Sequence, residues 1–170
     1  MFLELPKLWI VVLNVFGIPA IHLGVSWLFT RMPRRWFNPA SPFFRERSCE
    51  NGGRLYESVF KIRRWKRLLP DAAPWFDGFA KKNLRSVDPD YLRAFIAETC
   101  RGEAAHVAQV FALAGILLLW NPWPVAAIVM IVYAIFSNLP CILLQRHTRI
   151  RLQHFAGKPG VAAQGSGQVE

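Results

Sequence analysis

A carboxylate and an imidazole lie three residues apart in the segment Glu98-Thr-Cys-Arg-Gly-Glu-Ala-Ala-His106. On a helix, Thr99, Glu103 and His106 stand at i, i+4 and i+7 and share one face. Glu103 and His106 are then close enough to touch. A carboxylate beside an imidazole fixes its tautomer and raises its basicity. Such a pair can take the proton of an alcohol, the step that acyl transfer to a hydroxyl requires. A competing reading makes the segment a cap of ionisable residues where a helix leaves water, with Glu98 and Arg101 as a surface pair. Glu-x-x-His is also half of a di-iron carboxylate motif. A second such motif and further glutamates are needed for that site, so no metal is expected.

A second group runs from Tyr133 to Arg151. Asn138 sits inside an apolar run, where an amide needs a hydrogen-bond partner. Asn138, Gln145 and Arg149 stand at i, i+7 and i+11 on one helical face, unless Pro140 bends the helix and shifts the register. Arg146, Arg149 and Arg151 can clamp a phosphate, a carboxylate or a sugar. Simple anchoring in a cytoplasmic interface needs only charge and leaves Asn138 and Gln145 unexplained. A third group, Phe60-Lys-Ile-Arg-Arg-Trp-Lys-Arg67, reads as an anchor for anionic lipid. Its alternative is an acyl-donor site, with Arg64 and Lys66 among the cations facing a phosphate-bearing carrier. Asn14 and His22 are read as helix-packing groups; eight residues apart, they are expected on rather different faces. No Ser or Cys has a nucleophile's setting, so direct transfer is expected rather than an acyl-enzyme.

These residues need membrane helices to position them. The apolar residues, 53% of the chain, are gathered into uninterrupted runs, which is the signature of an integral membrane protein. A first span is expected over 8–30, a second over 104–120 and a third over 125–144. At about 1.5 Å per residue each is of the order needed to cross a hydrocarbon core of roughly 30 Å. Asp88 and Pro89 form an N-cap and first turn for a helix that runs through Tyr91–His106 directly into the second span. Leu55, Val59, Ile62 and Leu69 recur at helical spacing among basic residues, which predicts an amphipathic helix lying in the headgroup layer and ended by Pro70. Trp36–Arg54 reads as a loop near the membrane surface, Asp71–Val87 as a short interfacial turn or helix, and Asn121-Pro-Trp-Pro as a tight turn. The expected architecture is thus all-α, a single membrane domain over 1–156 with about three spans, a cytoplasmic interfacial region over 31–103, and a disordered tail over 157–170. The first residues carry a Glu and only one Lys, so the first span is read as a retained anchor and not a cleaved signal.

Charge orients this arrangement. The formal net charge is +10, with one Lys and no Arg up to Thr30, sixteen Lys and Arg against nine Asp and Glu between Arg31 and Glu103, and four more basic residues past Leu144. Basic flanks stay in the cytoplasm, which places the N-terminus outside and the basic loop and C-terminus inside a cell membrane crossed several times. A basic chain also raises the question of nucleic acid, but here the charge is bracketed by spans, and no nucleic-acid partner is expected. The three cysteines, Cys49, Cys100 and Cys141, form no CxxC, so neither a disulfide framework nor a zinc site is indicated. Three helices are few to enclose a cavity, so a homo-oligomer or a site open to lipid is expected.

The groups together resemble a known family. Phe60-Lys-Ile-Arg-Arg-Trp-Lys-Arg-Leu-Leu-Pro-Asp, Ile96-Ala-Glu-Thr-Cys-Arg-Gly-Glu-Ala-Ala-His106, Tyr133-Ala, and Asn138-x-Pro140 leading to Gln145-Arg146-x-x-Arg149-x-Arg151-Leu152 are similar in order and spacing to the glycosyl-4,4'-diaponeurosporenoate acyltransferases of staphyloxanthin biosynthesis. The resemblance implies a membrane-bound enzyme that esterifies a fatty acyl group to the C6 hydroxyl of glucose on a glycosylated carotenoid acid. The acyl donor is then a co-substrate and no cofactor is implied. The stretch Ala72–Val87 and the turn near Trp120–Trp123 depart from the family pattern, which leaves room for another glycolipid as acceptor.

On this reading His106 is the general base toward the sugar hydroxyl and Glu103 orients it. Arg101, Arg146 and Arg149 hold the donor or stabilise the oxyanion, and Asn138 and Gln145 position the acceptor. Two alternatives remain at the level of sequence. One is a small membrane lipid methyltransferase with a nucleotide-type cofactor in the basic groove. The other is a non-catalytic scaffold of a lipid pathway.

Overall fold

The computed structural model describes residues 5–69, 79, 84–121 and 124–158. Every regular element among them is helical. Three long helices, α1 (Lys7–Arg31), α4 (Pro89–Leu117) and α5 (Val125–Ala156), carry the architecture, with two short ones, α2 (Arg54–Ser58) and α3 (Ile62–Trp65), between α1 and α4. Of the long helices, α1 and α5 are long and apolar enough to cross a membrane. Residues 159–170 of the tail predicted over 157–170, the turn residues 122–123 and most of the stretch 72–87 lie outside the described residues.

Helix α1 ends where the next proline dictates. Met32 adopts extended backbone with ψ 142°, as a residue preceding a proline must. The helix buries none of its own residues completely; Leu8, Trp9, Val11, Val15, Phe16, Leu23, Trp27 and Leu28 face outward, as they would against lipid. Helix α4 starts as the sequence predicts. The Asp88 carboxylate accepts from the Tyr91 backbone N–H at 2.9 Å, and Pro89 fills the first turn. The helix then continues unbroken through His106 to Leu117.

α4 and α5 form an antiparallel hairpin, which the cross-helix partners define. Leu113 and Leu117 pack with Ala134 near the turn, and Leu92, Phe95 and Ile96 pack with Leu152 at the far end. α5 runs through Pro140 and on to Ala156, so the basic block after Leu144 is helical and extends the third predicted span by several turns. α1 packs against α4 and closes the Leu113 cluster with Ile18 and Ile21. Asn14 fastens its other end: it donates to Asn121 Oδ1 at 2.9 Å and accepts from Trp120 Nε1 at 2.9 Å.

The expected amphipathic helix over 55–69 does not form as one element. Lys61 sits in the left-handed region at φ 48° and splits the stretch into α2 and α3. The cause is burial. Tyr56 and Ile62 pack on Ile150 of α5, and a straight helix would not bring both to it. Trp65 Nε1 donates to the Phe60 carbonyl at 2.8 Å across the break. The segment 34–53 is likewise no open loop: Phe37 and Phe44 bury against Cys100 of α4, with Phe29 and Met32 at the end of α1.

Candidate functional site

Two polar layers cross the α4–α5 hairpin. The layer nearer the basic ends is built of charges. Arg146 on α5 donates from Nε to Glu50 Oε1 at 2.5 Å, and from Nη1 to Glu103 Oε1 at 2.9 Å and to the Phe43 carbonyl at 3.1 Å. Its Nη2 donates to the Arg45 carbonyl at 3.0 Å and to Glu50 Oε2 at 3.3 Å. A guanidinium has five N–H donors, and here each has a protein acceptor. Arg149, 0% exposed, pairs through Nη1 with Glu103 Oε2 at 2.5 Å and donates from Nε to the Phe44 carbonyl at 3.0 Å. Tyr56 donates to Glu50. Burial opposes ionisation of Glu50, but hydrogen bonds from Arg146, Tyr56 and the Arg47 backbone outweigh it and hold its pKa below the usual carboxylate value.

A second charge group lies beside the first. Glu98 receives Arg101 Nη2 at 2.7 Å and Arg34 Nε at 2.8 Å. Glu98 and Arg101 are both buried, which replaces the surface pair considered from sequence. Arg101 Nη1 reaches the Thr30 and Met32 carbonyls, both at 3.2 Å, and so ties the end of α1 to α4.

The other layer is built of imidazoles and amides. His106 Nδ1 lies 3.0 Å from Gln109 Oε1 and 3.0 Å from Asn138 Oδ1. The amide orientations are set by their other bonds. Gln109 Nε2 donates to the His22 carbonyl at 3.0 Å and to Ser26 Oγ at 2.9 Å; Asn138 Nδ2 donates to the Ala134 carbonyl at 2.9 Å. Both amide oxygens therefore face the imidazole, and Nδ1 must be the donor. In the neutral ring the lone pair is then on Nε2. His22 Nδ1 meets the same Gln109 oxygen at 3.2 Å. Asn14 and His22 thus both face the hairpin. Eight residues turn a helix by about 80°, which still fits within a face of roughly 100°.

The structure brings most of the sequence-selected residues to one interface. Asn138, Gln145 and Arg149 all face α4, against His106, Gly102 and Glu103 respectively. Gly102 is where the helices touch: a Cβ there would lie 3.0 Å from Gln145 Cδ. Glu103 is engaged by Arg146 and Arg149, and the hydrogen bonds that set the His106 tautomer come from Gln109 and Asn138. Arg64 and Lys66 are exposed on α3 and the turn that follows it. Among the described residues no three His, Cys, Asp or Glu side chains converge to hold a metal ion.

Sequence reasoning missed Gln109, Glu50, Tyr56 and Arg34. Gln109 left a readable signal, an amide one helical turn from His106 inside an apolar run. The partners of Arg146 did not, because they depend on how 34–58 folds back over α5.

Comparison with known proteins settles the family. The family model described as glycosyl-4,4'-diaponeurosporenoate acyltransferase matches residues 33–158. The chain belongs to this family. The enzyme of that name from Staphylococcus haemolyticus is 31% identical over 136 residues, covering 79% of this chain and 78% of its own. The one from Staphylococcus aureus strain USA300 is 26% identical over 134 residues, covering 78% and 79%. No solved structure matches. Family membership makes the chain an acyltransferase, in preference to a methyltransferase or a scaffold. The matched segment holds both charge groups, His106, Gln109 and Asn138; His22 precedes it.

Proposed function

We propose that the chain transfers a fatty acyl group from a carrier-bound donor to a sugar hydroxyl of a glycosylated carotenoid acid, or of a closely similar glycolipid, with His106 as general base. The observation that carries this reading is the fixed tautomer of His106. Two buried amide oxygens hold its Nδ1–H, so Nε2 carries the lone pair. The same oxygens stabilise the imidazolium that forms when Nε2 takes the hydroxyl proton. The freed alkoxide oxygen forms a bond to the donor's acyl carbon, the bond from that carbon to the leaving group breaks, and the imidazolium returns the proton to the leaving group.

Asn138 and Arg146 are eight residues apart on α5, about 12 Å along the axis. A donor with its reactive carbonyl at His106 would therefore extend its polar end past the charge layer toward the basic end of the hairpin. Arg149 serves the donor side in this reading. Arg101 and Arg146 serve it indirectly by seating the end of α1 and the segment 43–50. Arg64 and Lys66, exposed beyond that layer, meet the carrier's phosphate, and Gln145 lines the acceptor path beside Gly102. Glu103 sets the field between the two layers. The acyl donor is the co-substrate and no further cofactor is required. The membrane arrangement proposed is three spans, with the apolar half of α4 as the second, the basic end cytoplasmic and the N-terminus outside, either as a monomer open to lipid or as a homo-oligomer.

The test is a lipid extract from a host that makes the glycosyl carotenoid acid and lacks its own acyltransferase. Expression of the chain should add an acylated product by mass spectrometry, and His106→Ala at equal membrane abundance should remove it. No product from the wild-type chain would remove the carotenoid acceptor from the account. Equal product from His106→Ala would remove the base.

A further inference from the structure

We propose that His22 is a second acceptor-reading imidazole, which binds a sugar hydroxyl beside the one that His106 deprotonates. The proposal rests on the reading of His106 given above. Gln109 Oε1 is the shared acceptor, 3.2 Å from His22 Nδ1 and 3.0 Å from His106 Nδ1, so the two Nδ1 atoms lie within about 6 Å of each other. With both Gln109 amide hydrogens committed to α1, at the His22 carbonyl and Ser26 Oγ, that oxygen can only accept. Each ring therefore donates from Nδ1 and, in its neutral form, holds its lone pair on Nε2. Two imidazoles held to one amide oxygen suit a pair of hydroxyls on one sugar better than a single alcohol.

Burial gives the layer a direction. Gln109 and Asn138 are 1% and 0% exposed, whereas His22 and His106 are both half-buried. The amides form the inner wall and the rings form the accessible edge. Tyr133 of α5 stands edge-on to His22, with ring centroids 6.4 Å apart, and bounds that edge on the far side.

Charge specifies the ligand class. The guanidiniums of the neighbouring layer are directed at Glu50, Glu98 and Glu103, and the bonds described in the histidine layer join only imidazoles, amides, a hydroxyl and backbone carbonyls. That favours a polyol over a phosphate or a carboxylate. An ionisable side chain within a helix as apolar as α1 is costly to keep. Fastening α1 to Gln109 would not require one, since the His22 carbonyl and Ser26 already do so.

The experiment uses lysate of cells expressing the full chain, which supplies the donor. Acceptors are dodecyl glucoside and its mono-deoxy analogues, with ester formation read by mass spectrometry. Wild type should discriminate about tenfold or more against at least one mono-deoxy glucoside, because a hydrogen-bonding site rejects an analogue that leaves its group unpaired. His22→Ala should acylate that analogue and the parent glucoside at equal rates, and His22→Asn, which keeps an acceptor, should restore part of the discrimination. Three results would overturn the proposal. One is the same deoxy penalty in His22→Ala. Another is an equal fall on every acceptor in a His22→Ala protein inserted at normal abundance. The third is no ester on dodecyl glucoside from wild-type lysate that still acylates the glycosyl carotenoid. Undiminished activity in His106→Ala would instead sink the underlying reading, whatever His22 does.

Discussion

Gly102 and Arg146 show how narrowly single residues define this interface. At Gly102 the two long helices approach until a methyl group would press on the Gln145 amide at 3.0 Å. Gly102→Ala should displace that amide and lower acyl transfer, with far less effect on membrane abundance; assay of product per unit of inserted protein checks it. Arg146→Ala should be destructive in a different way. It leaves Glu50, nearly fully buried, without its cation and Glu103 with Arg149 alone, and breaking such a buried pair costs about 3–5 kcal/mol. The expected outcome is a large fall in the thermal midpoint of the purified protein. At this scale the sequence exposed the α4–α5 residues well, because Asn138 and Gln145 are polar groups inside apolar runs and His106 is flanked by charge. It could not expose Glu50 or Tyr56 as their partners. Those contacts come from a tertiary fold-back of 43–58 that no local periodicity encodes.

The long helices follow from local rules, and the short ones do not. Asp88 caps α4 and Met32 leaves α1 because Pro33 follows; both are readable from neighbouring residues. The basic stretch 55–69 had the spacing of one amphipathic helix, yet packing of Tyr56 and Ile62 on Ile150 forces Lys61 to φ 48°. A lysine there bears a cost of roughly 1–2 kcal/mol that glycine escapes. Lys61→Gly should therefore hold or raise the thermal midpoint, whereas Lys61→Val, β-branched, should lower it. Equal effects of the two substitutions would contradict the assigned backbone.

At the scale of the whole molecule, the charge layer couples stability to pH. Glu50 is held below its ordinary value by Arg146, Tyr56 and the Arg47 backbone despite its burial. A carboxylate with a depressed folded-state pKa adds stability that is complete above its unfolded pKa, about 4.5, and is lost as pH falls through the folded value. Thermal midpoints should decline on acidification below about pH 4.5, and Glu50→Gln should flatten that decline while lowering the neutral-pH midpoint. The two helices long and apolar enough to cross a membrane were legible from runs of apolar residues, and the continuous α4 from its Asp88 cap. The join between α1 and the hairpin was not, because an eight-residue spacing alone does not say that Asn14 and His22 both fall within the face that α4 covers.

The account stands on His106 as the group that takes the acceptor's proton. The most direct test is the rate of ester formation by His106→Ala, with and without added imidazole, in a lysate that supplies donor and acceptor. General-base catalysis of this kind is worth about 10²–10⁴-fold, so the variant should lose at least about a hundredfold in rate and recover part of it when imidazole is supplied. A rate within a few-fold of wild type, indifferent to imidazole, would contradict the assignment.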